Sequence, residues 1–216
     1  MLTMLEEIVL LAVDEKTGCL RSVREYATAY ALVGAVFFDL ALARKIDTDT
    51  ETIEVIDTTP TGNATLDRVL SDMARRTHLK TVEAWIEQLF YGRDDIEGEA
   101  LKSLIERGIL RHQKSKLMWI IDVESYPMVN NKPQKFVADR LASAILGDEI
   151  PDTRDIMLVS IAAPCGLLSY VLVEDALERR RRRIDLLCHL ETISRKVSAA
   201  IVSLDAARRN VIPRMI

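Results

Sequence analysis

Hydrophobic and polar positions alternate along most of the chain with the period of a helix. Thr3 followed by Glu6 is the spacing of a capping box, in which a hydroxyl and a carboxylate satisfy each other's backbone amides at a helix start. It opens a short apolar helix from Met4 to about Val13, and the cluster Asp14-Glu15-Lys16-Thr17-Gly18 ends it. Ser22 and Glu25 repeat the device, and the helix they open is predicted to run to about Lys45. From Tyr26 to Phe38 it carries no charge, so it has no polar face to turn to water and is predicted to be the central core helix, buried nearly all round. Further helices are predicted over about 64–76, 81–91, 97–107 with a stop at Gly108, 134–146, from Asp152 onward, 172–190 and 192–209.

Two stretches change period. Thr52 to Asp57 alternates like a short strand, and Thr59-Pro60-Thr61-Gly62-Asn63 is turn chemistry, so a β-hairpin arm is expected there. Ile109 to His112, a polar turn Gln113-Lys114-Ser115-Lys116 and a return strand Leu117 to Asp122 read as a second hairpin. Ile156 to Val173 holds 18 residues without a charge, the length threshold of a membrane span. Pro164-Cys165-Gly166 breaks it in the middle, which fits two buried helices meeting at a bend better than a span. The fold class is therefore mainly α: a single compact helical domain around a buried core helix, with one or two small β-hairpins.

Composition agrees with that class. The 216 residues are 49% hydrophobic and 29% charged with only 5% aromatic, an aliphatic core suited to helices, and a chain of this size can bury about 70% of its surface as one domain. Met1 to Glu7 has two acids and no basic n-region, so no targeting segment is expected and the protein is placed in the cytoplasm. Cys19, Cys165 and Cys188 are far apart and read as reduced thiols, and the three His are scattered without ligand spacing, so no metal and no cofactor is expected. Phosphate-binding glycine motifs and nucleophile elbows are missing from the sequence, so no catalytic residue is assigned.

Charge is uneven. The net −4 divides into +7 over residues 179–216 and −11 over residues 1–178, a distribution that can meet an anionic surface locally or be self-complementary. Its core is the run Arg179 to Arg183, of which Arg179, Arg180, Arg182 and Arg183 are candidate phosphate contacts. Five consecutive positions spread round a helix, however, and Asp175 with Arg179 and Glu178 with Arg182 stand at i,i+4, the spacing of a solvated, internally paired face. The segment from Glu97 to Asp122, helix then glycine then hairpin, also resembles the end of a winged helix; Glu97, Glu99 and Glu106 on its helix oppose duplex binding, and no nucleic-acid partner is assigned.

Taken in order, several pieces resemble the Golgi phosphoprotein 3 family and its bacterial relatives: Leu2-Thr3-Met4-Leu5-Glu6-Glu7 with Gly18, Gly34 to Leu42, Pro60-Thr61-Gly62 followed by Leu66-Asp67, Trp85-Ile86, Leu104 to Leu110, Pro127 and Arg140-Leu141. The likeness covers about Leu2 to Val197, with residues 1–210 as its helical domain and 211–216 as a C-terminal tail. It implies a non-enzymatic peripheral membrane adaptor that reads phosphatidylinositol 4-phosphate on the cytoplasmic face of a membrane, holds a client protein, and uses a projecting hairpin for membrane contact or self-association. By position the hairpin residues are Leu117, Met118 and Trp119. The headgroup site departs from the family pattern: its places fall on Arg24, Val33, Asp94 and Glu97, three of which lack the needed basic or aromatic chemistry, leaving Arg21 and Arg24 as the candidate lipid contacts. Headgroup specificity is thus expected to be altered or lost. The alternatives are a soluble self-associating interaction module without lipid binding, and a winged-helix DNA-binding regulator.

Overall fold

A computed structural model describes residues 1–21, 26–48, 52–117 and 121–211. Its elements are α1 (Met4–Ala12), α2 (Ala27–Leu42), β1 (Ile46–Thr48), β2 (Ile53–Val55), α3 (Ala64–Arg75), α4 (Val82–Phe90), α5 (Arg93–Glu106), β3 (Gln113–Leu117), β4 (Ile121–Ser125), α6 (Lys132–Leu146), α7 (Thr153–Ala162), a 3-10 turn (Leu167–Tyr170), α8 (Glu174–Leu190) and α9 (Thr192–Val211). The protein is mainly α.

The first capping box forms as expected: Glu6 N donates to Thr3 Oγ1 over 3.1 Å and Thr3 N to a Glu6 carboxylate oxygen over 2.8 Å. All nine residues of α1 are buried, the acids Glu6 and Glu7 included. Buried carboxylates need partners. Arg107 pairs with Glu6 at 2.8 Å, Arg140 with Glu7 at 2.8 Å, Arg154 with Glu7 at 3.3 Å, and Arg140 also reaches Asp155. These ion pairs tie α1 to α5, α6 and α7. The second expected capping box, Ser22 with Glu25, lies outside the described residues.

α2 is the central helix, packed on α1, α4, α5, α7 and α9, and Tyr30 to Leu40 are buried without interruption. Gly34 permits the approach of α9, since a Cβ there would stand 3.1 Å from Val197 Cγ1. The helix ends at Leu42, short of the expected Lys45, because Arg44 turns into the left-handed region (φ 55°) and Ile46 begins β1. Lys45 then buries its ammonium against Asp57 at 2.5 Å and Thr59 at 2.6 Å.

Both hairpins differ in placement from the sequence reading. The first arm is formed upstream: β2 pairs antiparallel with β1, Ile46 opposite Val55 and Thr48 opposite Ile53. The Thr59–Asn63 turn instead starts α3, where Asn63 accepts the Leu66 amide and Asp67 accepts the Thr61 amide and hydroxyl. In the second hairpin Gln113–Lys116 is strand rather than turn, with Gln113 opposite Ser125 and Leu117 opposite Ile121. Ile109 and Leu110 stop α5 and pair elsewhere: after Gly108 (φ 68°) both amides return to Leu104 O, both side chains are buried, and Leu110 forms an antiparallel bridge with Met128 outside the β3–β4 sheet. The strands therefore begin later, with Lys114 and Glu124 paired across them at 2.9 Å.

The charge-free stretch breaks where expected, α7 ending at Ala162 and Gly166 (φ 74°) turning the chain, but a four-residue 3-10 turn follows in place of a second buried helix. Among the described residues no helix is long and apolar enough to cross a membrane.

Candidate functional site

The segment that follows α1 fixes Arg21 by an ion pair and a ring contact. Asp14 accepts the amides of Lys16 and Thr17 at 2.9 and 2.7 Å and the Arg21 guanidinium at 2.8–2.9 Å. The Thr17 amide does most to lower the Asp14 carboxyl to about 2. The guanidinium also lies 4.6 Å over the Tyr170 ring, so Arg21 is stacked and paired yet partly open to solvent. Gly18 (φ 70°) allows Pro127 to close on this loop, and Gly18 O accepts the Tyr126 amide at 2.6 Å. The loop is thereby bolted to the base of the β3–β4 hairpin. Arg24 lies outside the described residues.

A second basic cluster forms where α4 passes into α5 against the end of α9. The Arg208 guanidinium carbon stands 4.0 Å from the Phe90 ring centre and that of Arg93 stands 4.5 Å from the same ring. Tyr26 meets Phe90 edge-on at 5.5 Å, Tyr30 packs on it at 5.0 Å, and Tyr91 contacts it at 6.3 Å. Arg208 Nε donates to Tyr30 Oη at 2.7 Å, and Arg93 donates to Phe90 O at 3.0 Å. Burial works against the charge on Arg208, but the Tyr30 hydrogen bond and its companions outweigh it and raise the pKa. Two guanidiniums fixed on one ring, with N–H groups left over, are suited to phosphate or carboxylate oxygens.

Sequence reasoning passed over both of these arginines. Arg93 is the immediate neighbour of Asp94, and Arg208 was counted only within the basic end. A usable signal was present in Tyr26 and Tyr30 at i,i+4 and in Phe90-Tyr91 followed by Arg93. The places implied by the resemblance behave differently from one another. Val33 is fully buried inside α2, Asp94 is exposed beside Arg93 at 3.6 Å, and the partly buried Glu97 has its carboxyl raised by burial and then by Asp94.

The arginines of α8 are not equivalent. Arg180 reaches Asp148 at 3.0 Å and Leu146 O, while Arg183 donates to the carbonyls of Ala144, Asp148 and Glu149, so both cap the C-terminal end of α6. Arg179 pairs with Asp175 as expected, but Glu178 pairs with Arg181 at 3.8 Å instead of Arg182. Arg182 is exposed and has no ion pair among the described residues. Of the hairpin residues, Leu117 ends β3 opposite Ile121, while Met118 and Trp119 lie outside the described residues.

Reactive chemistry is muted. Cys165 and Cys188 are buried, and burial pushes the Cys188 thiol up to about 11; Cys19 is partly exposed. Among the described residues no three His, Cys, Asp or Glu side chains converge as a metal site.

The protein is thus a mainly α domain built round a buried α2, with two small antiparallel hairpins and arginines held on aromatic rings. The sequence profile of Golgi phosphoprotein 3 (GPP34) matches residues 4–204, and the chain belongs to that family. It is similar to two fungal proteins called vacuolar protein sorting-associated protein 74. The Eremothecium gossypii protein is 26% identical over 84% of this chain and 64% of its own length, and that of Schizosaccharomyces pombe is 23% identical over 82% and 60%. The chain thus spans less than two thirds of either relative.

Proposed function

We propose that this chain is a non-enzymatic peripheral adaptor that meets the anionic cytoplasmic face of a membrane and holds a client protein there. The observation that carries the reading is the pair Arg93 and Arg208 stacked on Phe90. The cluster also takes in Tyr26 and adjoins Asp94, near the places where the family resemblance puts the headgroup site. Arg21, held over Tyr170 and partly open to solvent, adds a third guanidinium. With Val33 buried and with Asp94 and Glu97 acidic, the site favours anionic phosphate in general over phosphatidylinositol 4-phosphate in particular. The hairpin supplies the apolar contact through Leu117, Met118 and Trp119.

Co-flotation with neutral vesicles, vesicles carrying a generic anionic lipid and vesicles carrying phosphatidylinositol 4-phosphate tests this at low and physiological salt. The expected result is recovery with both anionic vesicles, weakened by salt, and reduced about tenfold in Arg93→Ala and in Arg208→Lys, which keeps the charge but not the planar stack. Recovery with the phosphoinositide alone would overturn the relaxed specificity, and no recovery with any vesicle would overturn membrane association. A second reading, a soluble module that self-associates through the hairpin, draws on the two-stranded β3–β4 sheet, which has no further strand on either edge among the described residues. Leu117→Ser with Trp119→Ser separates the two: flotation that is present in wild type and lost in the variant supports the adaptor, whereas a wild type that never floats but self-associates, and loses self-association in the variant, supports the module.

A further inference from the structure

Between the end of α6 and the start of α7 lies an open groove of about 710 Å³. Its apolar walls are unusually exposed for such side chains, Phe136 by 62% and Ile150 by 79%. Its rim is acidic: Asp139 and Glu149 are exposed and have no ion pair among the described residues, while the groove's single lining cation, Arg140, is already taken by Glu7 and Asp155. An anionic lipid is repelled by such a rim. What fits it is a segment with a cation set beside a bulky aliphatic side chain.

This chain carries such a segment. On α8, Arg179, Arg182, Leu186 and Leu190 fall at i, i+3, i+7 and i+11, one continuous stripe along the helix. Leu186 is 58% and Leu190 42% exposed, and Arg182 is exposed and has no ion pair among the described residues. The stripe cannot fold back into its own groove, because Arg180 and Arg183 on the adjoining side of α8 already fasten that helix to the groove's wall at Asp148 and Ala144. Groove and stripe are therefore neighbours on one molecule, and a two-fold axis beside them would seat each stripe in the other copy's groove at once. Such a contact closes on itself instead of growing a filament.

We propose that this face is a homodimer interface: the α8 stripe of a second copy lies in the α6–α7 groove, with Arg182 against Asp139 and Glu149 and Leu186 against Phe136 and Ile150. The polarity of the whole chain, −11 before residue 179 and +7 after it, favours this pairing and steers it. The interface is independent of the hairpin and of the arginine cluster, so it stands or falls apart from membrane binding.

Sedimentation equilibrium on the full chain tests it, with thermal melts as the folding control, since every position changed is exposed. Wild type is expected to dimerise, more weakly as salt rises. Leu186→Asp, Arg182→Glu and Asp139→Lys are each expected to weaken the dimer at least about tenfold, and Arg182→Glu combined with Asp139→Lys to recover most of it. A wild-type chain that stays monomeric overturns the proposal, whether or not its groove takes up a basic peptide. A dimer indifferent to Leu186→Asp overturns it in favour of another surface, such as the hairpin. Loss in both single charge variants without recovery in the pair overturns the stated contact.

Discussion

Asp39 offers a sharp test of the energetics of this core. It sits on α2, buried, and its two carboxylate oxygens accept the Met4 and Leu5 amides at 2.9 and 3.1 Å, which caps the start of α1 from a distant part of the chain. Burial raises its pKa from 3.8 to about 6, against the pull of the two amides and Arg154, and Glu7 adds to the rise. At pH 7 the ionised group therefore costs about 3 kcal/mol relative to the same carboxylate in the unfolded chain. The folded-state value is the higher one, so folding takes up a proton between the two pKa values. The stabilisation from this group is complete below 3.8 and is lost as pH rises through about 6. Asp39→Asn abolishes the titration but has one carbonyl oxygen for two amides, and the unsatisfied buried donor costs about 1–3 kcal/mol. The two effects nearly cancel at pH 7, where wild type and variant should be close in stability. At pH 4.5 wild type has regained about 2 kcal/mol that the variant cannot. Urea denaturation of both proteins across this range measures the difference, in which titrating groups that do not interact with Asp39, Glu97 included, drop out. A difference that stays flat within about 0.5 kcal/mol from pH 7 to 4.5 would refute the reasoning.

Three further perturbations probe the loop after α1 and the contacts of α8. Gly18→Ala places a Cβ 2.6 Å from Pro127 N at a backbone φ of +70°, and is expected to cost about 2–4 kcal/mol, with faster hydrogen exchange at Tyr126, whose amide donates to Gly18 O. Arg183→Ala removes the donors that cap α6 and should cost about 1–2 kcal/mol in denaturant titrations. Arg182→Ala should leave the monomer's stability within about 0.5 kcal/mol, and a loss as large as that of Arg183→Ala would contradict the division of labour on α8.

What could be read from the sequence alone was local. The Thr3 and Glu6 box, the charge-free stretch from Tyr26 to Phe38, the stop at Gly108 and the break at Pro164-Cys165-Gly166 depend on bonds and sterics spanning a few residues, and each leaves a short-range pattern. The class of fold follows from them, as does the ordered set of pieces that resembles the family. Hairpin register was not legible. Ile109 and Leu110 read as strand, and Leu110 does bridge to Met128, but only their packing after α5 decides that they stay out of the hairpin sheet, whose first strand is Gln113–Leu117. The roles of most charged residues, the local Thr3–Glu6 and Asp175–Arg179 pairs aside, depended on tertiary structure. Glu6 meets Arg107, Glu7 meets Arg140, and Tyr30 meets Arg208 across separations of 101, 133 and 178 residues, which no spacing rule anticipates. A carboxylate or guanidinium reads the same in a sequence whether solvated or buried. Only the assembled helices decide whether it is taken up in holding the fold, as with Arg180 and Arg183, or left at the surface, as with Arg182.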